Sequence, residues 1–387
     1  MIPTPFDSNP KTRLVFGPGV LDRVGALARE LGATRALVVT DRGIVAAGHV
    51  ARATASLEAA GMSVVLYDAV RENPTTLDVS RCVEAARAGR VDFLVGLGGG
   101  SSMDTAKGAN FILTNGGEMK DYHGVGKARL PMLPLIAVPT TAGTGSECQS
   151  AALIADEATH VKMACLDPKA AARVALLDPE LTVSQPRRVT ALTGTDALVH
   201  AVESAVTTRG TPWSQMHSRE AFRLCAGALE VVLAEPSNLE ARGRMLLGAA
   251  LAGIAIENSM LGAAHAAANP LTARFGVVHG AAVGLLLPAV VRFNAEVESA
   301  RVGYREIALA AGLVSVADSE TAAVDRLVAH LEHLRRVAGI PATLAEAGVD
   351  SAMVPLLAAD AARQWTGGFN PRPVDAASFE ALYRSVG

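Results

Sequence analysis

The sequence is poor in several features that mark particular classes of protein. Only 4% of its 387 residues are aromatic, the net charge is −3 and no basic run occurs, so no nucleic-acid partner is expected. The four cysteines contain no CxxC pair, and a disulfide framework is not expected at this length. The longest apolar stretch, about Gly276 to Val291, is short for a membrane span, and the first residues lack the apolar segment of a signal peptide. We therefore expect a cytoplasmic protein without a membrane partner.

The first half of the chain alternates between strand and helix patterns. Half of all residues are hydrophobic, which is ample for large cores. Buried strands are predicted at 35–40, 63–70 and 133–140, and a further strand follows residue 91. Helices are predicted at 49–61, at 76–89 with Thr76 as N-cap, and from about Met103. This alternation indicates a parallel sheet with helices on both faces.

The second half reads as helical and rich in alanine. The predicted helices span 188–206, 214–234, 239–269, 278–298, 302–312, 318–338 and 353–363. No internal repeat or low-complexity linker interrupts them. The predicted fold class is therefore an N-terminal α/β domain over residues 1–185, followed by an all-α domain over residues 186–387.

Four residues of the helical half form a candidate metal site. Asp196 and His200, in TGTDALVHAVES, share one helix face because they are four residues apart. His265 and His279 would lie roughly 21 Å apart on one unbroken helix, so we expect the chain to turn at Asn269-Pro270 between them. Three imidazoles and a carboxylate suit a divalent transition metal such as Fe, Zn, Co or Ni, not Ca or Mg. The remaining histidines lack partners at ligand spacing and are interpreted as surface or structural residues: His49, His123, His160, His217, His330 and His333.

Two glycine-rich segments follow buried strands in the first half. GGGSS, residues 98–102, opens a helix whose free N–H groups could receive a pyrophosphate. PTTAGTGSE, residues 139–147, adds threonine hydroxyls at the end of a second strand. Two such loops suit a dinucleotide lying across the sheet edge. Asp41, which ends the first strand, is either a helix cap or an acceptor for a ribose diol, and in the second role it favours NAD over NADP.

These motifs, in this order, resemble the iron-containing (group III) alcohol dehydrogenase family. The resemblance rests on GGGSSMDTAK, PTTAGTGSE, TGTDALVHAVES, the segment from His265 through HGAAVGLLLP, and NPRP near the C-terminus. It covers essentially the whole chain. It implies the dehydroquinate-synthase-like fold of that family, with an α/β NAD(P) domain and a helical domain that holds the metal.

The resemblance also implies roles for individual residues. It maps the metal ligands onto Asp196, His200, His265 and His279, with Fe2+ as the expected ion and Zn2+ as the alternative. It maps cofactor-binding positions onto Asp41, Asn73, Gly99, Gly100, Ser101, Ser102, Thr140, Thr141, Thr144 and Lys162. The expected partners are NAD, a small alcohol or aldehyde substrate, and a second copy of the chain in a homodimer.

The chain departs from the family pattern at three positions. Asn269 stands near the nicotinamide where many members carry a histidine that relays protons, and an amide cannot take up a proton. Ile256 stands where Phe is common, and Ala151 is small. These two positions predict a roomier substrate pocket or a different substrate.

The expected reaction is metal-dependent, NAD-linked alcohol dehydrogenation or aldehyde reduction. A first alternative is another enzyme of related fold, either a zinc polyol dehydrogenase or a dehydroquinate-synthase-like lyase. The lyase would need a cluster of Lys and Arg for a phosphate, and the helical half is poor in basic residues near the predicted ligands. A second alternative is a non-catalytic scaffold homologue, for which degenerate ligands would be expected.

Overall fold

The chain divides into two compact units in the computed structural model, which describes residues 5–159 and 161–387. The predictions for His160 and for the first four residues lie outside this range. An α/β unit comprises Asn9–Thr141 and Gly145–Gln185. A helical unit comprises Pro186–Gly387, together with Ala142–Thr144 and the described residues that precede Asn9.

A six-stranded, wholly parallel sheet forms the centre of the α/β unit. The strands of this unit are β1 (Arg13–Phe16), β2 (Arg35–Val39), β3 (Ser63–Tyr67), β4 (Phe93–Gly98), β5 (Gly124–Val125), β6 (Leu135–Pro139), β7 (Ala151–Ala155), β8 (Lys162–Leu166) and β9 (Val174–Leu177). The order across the large sheet is β1-β9-β6-β4-β2-β3, and β5, β8 and β7 form a separate small sheet. The parallel sheet confirms the predicted α/β class.

Helices cover both faces of the large sheet. They are α1 (Val24–Glu30), α2 (Arg42–Ala46), α3 (His49–Ala59), α4 (Thr76–Gly89) and α5 (Gly100–Asn115). Leu37 and Val39 of β2 pack in the core with α4 and α5, whereas Ala36 and Val38 point to the core with α1 and α3. This alternation with period two is what a strand buried on both faces requires.

Two helix starts differ from the predicted ones. The N-cap of α4 is Thr75, not Thr76, because Thr75 and Asp78 form a reciprocal capping box. Helix α5 begins at Gly100, three residues before the predicted Met103, so Ser101 and Ser102 belong to its first turn.

The chain reverses its direction of progress across the sheet between β2 and β4. Strand β3 lies on one side of β2, and β4 lies on the other side and is followed by β6. A crevice opens at the carboxyl ends of the strands at such a switch point, and ligands of α/β proteins commonly bind there.

The helical unit contains ten α-helices among the described residues. They are α6 (Arg187–Ser204), α7 (Pro212–Ala226), α8 (Leu229–Ala234), α9 (Leu239–Glu257), α10 (Ala263–Phe275), α11 (His279–Asn294), α12 (Glu298–Ala310), α13 (Glu320–Val337), α14 (Val354–Ala361) and α15 (Ala376–Ser385). Two predicted single helices are each divided in two: 214–234 becomes α7 and α8, and 239–269 becomes α9 and α10. No helix of the described chain is both long enough and apolar enough to cross a membrane.

The predicted turn at Asn269-Pro270 is wrong. Helix α10 continues through Pro270 and ends at Gly276, whose left-handed φ of 65° closes the helix. Proline removes one helical donor, and the helix nevertheless continues, with Ala267 and Leu271 on either side of Pro270 fully buried. The chain turns at residues 276–278 instead, and His279 is the first residue of α11.

All four cysteines are buried, and none of them forms a disulfide. Burial raises the pKa of Cys82, Cys165 and Cys225 to about 12. These thiols are therefore protonated at neutral pH.

Candidate metal centre and cofactor site

Three helices of the helical unit bring the four predicted metal ligands together. Helix α6 supplies Asp196 and His200, α10 supplies His265, and α11 begins with His279. The Nε2 atoms of His200, His265 and His279 lie 3.4, 3.7 and 3.7 Å from Asp196 Oδ1. The donor atoms of Asp196, His265 and His279 all lie within 4.8 Å of one another.

These separations fit a shared metal ion better than direct hydrogen bonds. Distances of 3.7 Å are too long for N–H···O bonds, and among the described residues the buried Asp196 Oδ1 and His265 Nε2 have no hydrogen-bond partner. Ligand atoms arranged tetrahedrally around a metal at about 2.1 Å stand roughly 3.4 Å apart. The chemistry of the donor set, three imidazoles and one carboxylate, suits a divalent transition metal.

The electrostatics of the cluster favour an ionised Asp196 and a neutral His200, which are the forms of these two side chains that bind a metal. Burial raises the pKa of Asp196, but the neighbouring histidines, His200 first, outweigh it and hold that pKa well below its usual range. Burial lowers the pKa of His200, which keeps its imidazole neutral. For His265 burial lowers the pKa, but Glu203 and Asp196 more than compensate and raise it to about 9. The carboxylates of Asp196 and Glu203 thus create a negative potential at the point where a cation would bind.

Glu203 is a neighbour of the centre that the sequence analysis did not identify. Its Oε2 lies 2.6 Å from His265 Nδ1, and its Oε1 accepts a hydrogen bond of 2.6 Å from the Ala264 amide. Its position one turn after His200 on the same helix was the available signal. Asn370, in the NPRP segment, accepts a hydrogen bond of 3.2 Å at its Oδ1 from the neighbouring backbone amide of Ala263.

In the α/β unit, Asp41 and Gly98 face each other at the switch point. Asp41 is the N-cap of α2, and its Oδ1 accepts amide hydrogen bonds from Gly43 at 2.8 Å and Ile44 at 3.1 Å. A Cβ at Gly98 would lie 3.7 Å from Asp41 Oδ2 but only 2.4 Å from Ser102 Oγ, and the φ of 150° also favours glycine there. The turn is therefore a narrow cradle that a side chain at Gly98 would fill.

The start of α5 and the end of β6 complete this edge of the sheet. Gly99 is the N-cap of α5 and makes no side-chain capping bond, while Gly100, Ser101 and Ser102 form the first turn. A helix start of this kind attracts phosphate. Thr140 donates its amide to Gly98 O at 2.9 Å, and a Cβ at Gly99 would lie 3.5 Å from Thr141.

The remaining predicted cofactor residues are more dispersed. Asn73 is exposed in a bend after β3 and has a left-handed φ of 53°, which asparagine tolerates better than most residues. Lys162 is exposed at the start of β8 in the small sheet. Thr144 lies in the segment Ala142–Thr144, which belongs to the helical unit.

A buried lysine, to which the sequence motifs assign no role, connects α5 to the segment after β6. Lys107 is fully buried, and its Nζ donates to Ser146 O at 2.6 Å, to Ser146 Oγ at 2.9 Å and to Gln149 O at 2.8 Å. Ser146 Oγ in turn donates to Asp104 Oδ1 at 2.8 Å. This network connects the helix of the glycine turn to the GTGSE segment.

The predicted proton-relay and substrate positions occupy both units. Asn269 lies one turn after His265 on α10, is half-buried, and donates from Nδ2 to Gln364 Oε1 at 3.0 Å. Ile256 is 4% exposed on α9 in the helical unit. Ala151 begins β7 in the α/β unit, and its carbonyl accepts from Lys107 Nζ at 3.1 Å.

Comparison with known proteins gives a consistent result over the whole chain. Residues 10–179 match the family described as iron-containing alcohol dehydrogenase, and residues 190–387 match the C-terminal region of the Fe-containing alcohol dehydrogenase family. The chain is 35% identical to the NAD-dependent methanol dehydrogenase of Bacillus methanolicus, over 92% of this chain and 93% of that one. It is 34% identical to the lactaldehyde reductase of Escherichia coli K12, over 96% and 97%. A crystal structure of 1,3-propanediol oxidoreductase superposes with a TM-score of 0.94 at 32% identity, covering 98% of both chains.

Proposed function

The chain belongs to the iron-containing alcohol dehydrogenase family, and from this premise we propose that it transfers hydride reversibly between a small alcohol or aldehyde and NAD. Family membership identifies it as an alcohol oxidoreductase. The observation that carries the proposed metal dependence is the convergence of the Nε2 atoms of three histidines on Asp196 Oδ1, and those histidines are His200, His265 and His279. We assign metal binding to residues 186–387 and cofactor binding to residues 1–185.

The four ligands have distinct tasks in this proposal. Asp196 supplies the only negative charge among them, and the neutral imidazoles complete a site with net positive charge once a divalent ion binds. When bound, the metal supplies Lewis-acid polarisation of the substrate oxygen. Fe2+ is the proposed working ion and Zn2+ the alternative, since imidazole and carboxylate accept both.

Asp41 is the proposed basis of NAD preference. Its Oδ1 is engaged in capping α2, while its Oδ2 faces the glycine turn. A carboxylate there can accept hydrogen bonds from a ribose diol and repels a 2′-phosphate. Asp41→Asn keeps a capping oxygen and removes the charge, so we expect the NAD over NADP preference in kcat/KM to fall about tenfold or more, which corresponds to roughly 1.4 kcal/mol. An unchanged preference would remove this role from Asp41.

Asn269 forms an amide pair with Gln364 at the position where a proton-relaying histidine is expected. Because neither Asn269 nor its partner Gln364 can ionise, this amide pair orients hydrogen bonds without holding a proton. A proton released on alcohol oxidation would therefore need a carrier other than this amide pair, and we propose that ordered water supplies it.

Substrate size is proposed from Ala151 and Ile256, the two positions that differ from the family pattern. Both are smaller than an aromatic side chain, so we expect activity on aldehydes longer than three carbons. Rates on a chain-length series of aldehydes test this. A sharp cutoff at two or three carbons would contradict it.

The decisive experiment is NADH oxidation with short, branched, hydroxylated and acidic aldehydes. The protein is stripped with a chelator and then reloaded anaerobically with Fe(II) or, separately, with Zn(II). Recovery with Fe(II) alone supports the proposal, whereas recovery with Zn(II) alone on polyols favours the polyol dehydrogenase. Failure to bind both metal and NADH would favour a non-catalytic scaffold.

Two further properties belong to the proposal. We expect a homodimer, which sedimentation can test directly. We propose a cytoplasmic location, which agrees with four cysteines that form no disulfide, since disulfides are rare in reducing compartments.

A further inference from the structure

The side chain of Glu203 makes two short hydrogen bonds to one helix. Glu203 lies on α6 and is 3% exposed. One oxygen, Oε2, lies 2.6 Å from Nδ1 of the ligand His265. The other, Oε1, accepts a bond of 2.6 Å from the backbone amide of Ala264 at the start of α10. A single carboxylate thus holds both the side chain of the ligand and the backbone beside it.

These contacts determine which nitrogen of His265 can bind a metal. An ionised carboxylate only accepts hydrogen bonds, so Nδ1 must carry the proton. The lone pair of a neutral imidazole is then on Nε2, which is the atom 3.7 Å from Asp196 Oδ1. We propose that Glu203 is a positioning residue that fixes the tautomer and orientation of His265 for the divalent metal, an inference that rests on the proposed metal dependence.

The local sequence accommodates this arrangement. Gly262 immediately precedes α10, and a Cβ there would lie 2.9 Å from Asn370 Oδ1 and 3.1 Å from Glu203 Oε1. Glycine therefore lets two acceptors approach the free amides at the helix start. Asn370 accepts a hydrogen bond from the Ala263 amide, and Glu203 accepts one from the Ala264 amide. Of these two side chains, only Glu203 also contacts His265.

A neutral amide cannot replace the carboxylate. In Glu203→Gln the single amide oxygen is needed by the Ala264 N–H, which can only donate. The NH2 group then faces His265 Nδ1 and favours the tautomer that carries its proton on Nε2. That tautomer cannot bind a metal through Nε2, although the new side chain has nearly the same shape.

The test measures metal affinity directly. The full-length protein is stripped of metal and titrated with Co2+, with visible absorption reporting both affinity and coordination. We expect Glu203→Gln to bind Co2+ about 10–100-fold more weakly, the range found for outer-shell partners of ligating histidines. Glu203→Asp, which keeps the charge, should retain more affinity than Glu203→Gln. If Glu203→Gln binds as tightly as wild type, or more tightly than Glu203→Asp, the proposal is overturned.

Asn370→Ala is the matched control. It removes a neighbouring capping acceptor but no contact with His265, so its Tm should fall while its Co2+ affinity per folded molecule stays close to wild type. An equal loss of affinity in this variant would mean that a loosened helix start is the cause, which also overturns the proposal. Absence of Co2+ binding in wild type would contradict the proposed metal dependence itself, and NADH binding, followed by fluorescence, would show that the protein is folded.

Discussion

Gly280 brings α11 close to α6 beside the proposed metal centre, and replacing it with alanine should displace the proposed ligand His279. It is the second residue of α11 and directly follows His279. A Cβ at this position would lie 2.2 Å from the carbonyl oxygen of Leu192 and 2.7 Å from its carbonyl carbon. Both atoms belong to the backbone of α6, one turn before Asp196, so no side-chain rotation can relieve the contact.

The size of the effect follows from this distance. Contacts below 3.0 Å essentially do not occur for a Cβ, so α11 must move away from α6 by about 1 Å. Overpacking of this kind typically costs about 1–3 kcal/mol of stability. A displacement of about 1 Å at a reacting centre can cost roughly 100-fold in rate. We therefore expect Gly280→Ala to lose about tenfold or more in metal affinity and about 100-fold in kcat.

Gly25→Ala provides a matched control in the other unit. Its Cβ would lie 2.0 Å from the Ser56 carbonyl oxygen, which is the same kind of clash between a helical glycine and a backbone carbonyl. Urea unfolding should show a loss of stability in both variants, but Co2+ titration should show weaker binding only in Gly280→Ala. If Gly280→Ala loses stability and yet keeps wild-type metal affinity, the reasoning about helix approach is refuted.

Three other predictions concern buried or polar side chains. Burial raises the pKa of Glu147 from 4.5 to about 7, and neither side-chain oxygen has a hydrogen-bond partner within the described part of the chain. The free energy of unfolding of wild type should therefore fall by up to about 3 kcal/mol as pH rises from 4.5 through 7, and urea unfolding of Glu147→Gln should not show this loss. Equal pH dependence in the two proteins would count against it. Lys107→Met should lower the free energy of unfolding by roughly 3–5 kcal/mol and weaken NADH binding, because it breaks a buried charged network. A loss of stability below about 1 kcal/mol would show that the network is dispensable. Asn269→His should add an ionisation at about pH 6–8 to the kcat profile, and an unchanged profile would exclude this position from the proton path.

The fold class was predictable because its signals are local. Continuous apolar runs such as 35–40 and 133–140 mark strands buried on both faces, and the structure has strands there. The small sheet was missed because its β5 contains only two residues and pairs with β8, far along the chain. No pattern within such a short segment distinguishes it from a loop.

Helix boundaries in the alanine-rich half were harder to predict. The break between α9 and α10 at 258–262 was not predicted because alanines, which favour helix, lie on both sides of it. Within this break Met260 adopts a positive φ of 109°. Conversely, Pro270 suggested a break that packing overrides. Glu203 and Gln364 escaped notice because their roles depend on contacts between segments that are distant in sequence.

The burial of every cysteine determines which part of the protein oxidation in air should inactivate first. Thiols form sulfenic acid and further oxidised products through the thiolate, and the raised pKa of Cys82, Cys165 and Cys225 suppresses that form. The proposed metal site is more accessible to solvent than these thiols, since the side chain of His279 is 37% exposed. If Fe2+ is the bound ion, as proposed, peroxide should therefore oxidise the metal before it reaches sulfur. Activity lost on ageing would then return with fresh Fe(II) and ascorbate, whereas dithiothreitol alone would not restore it.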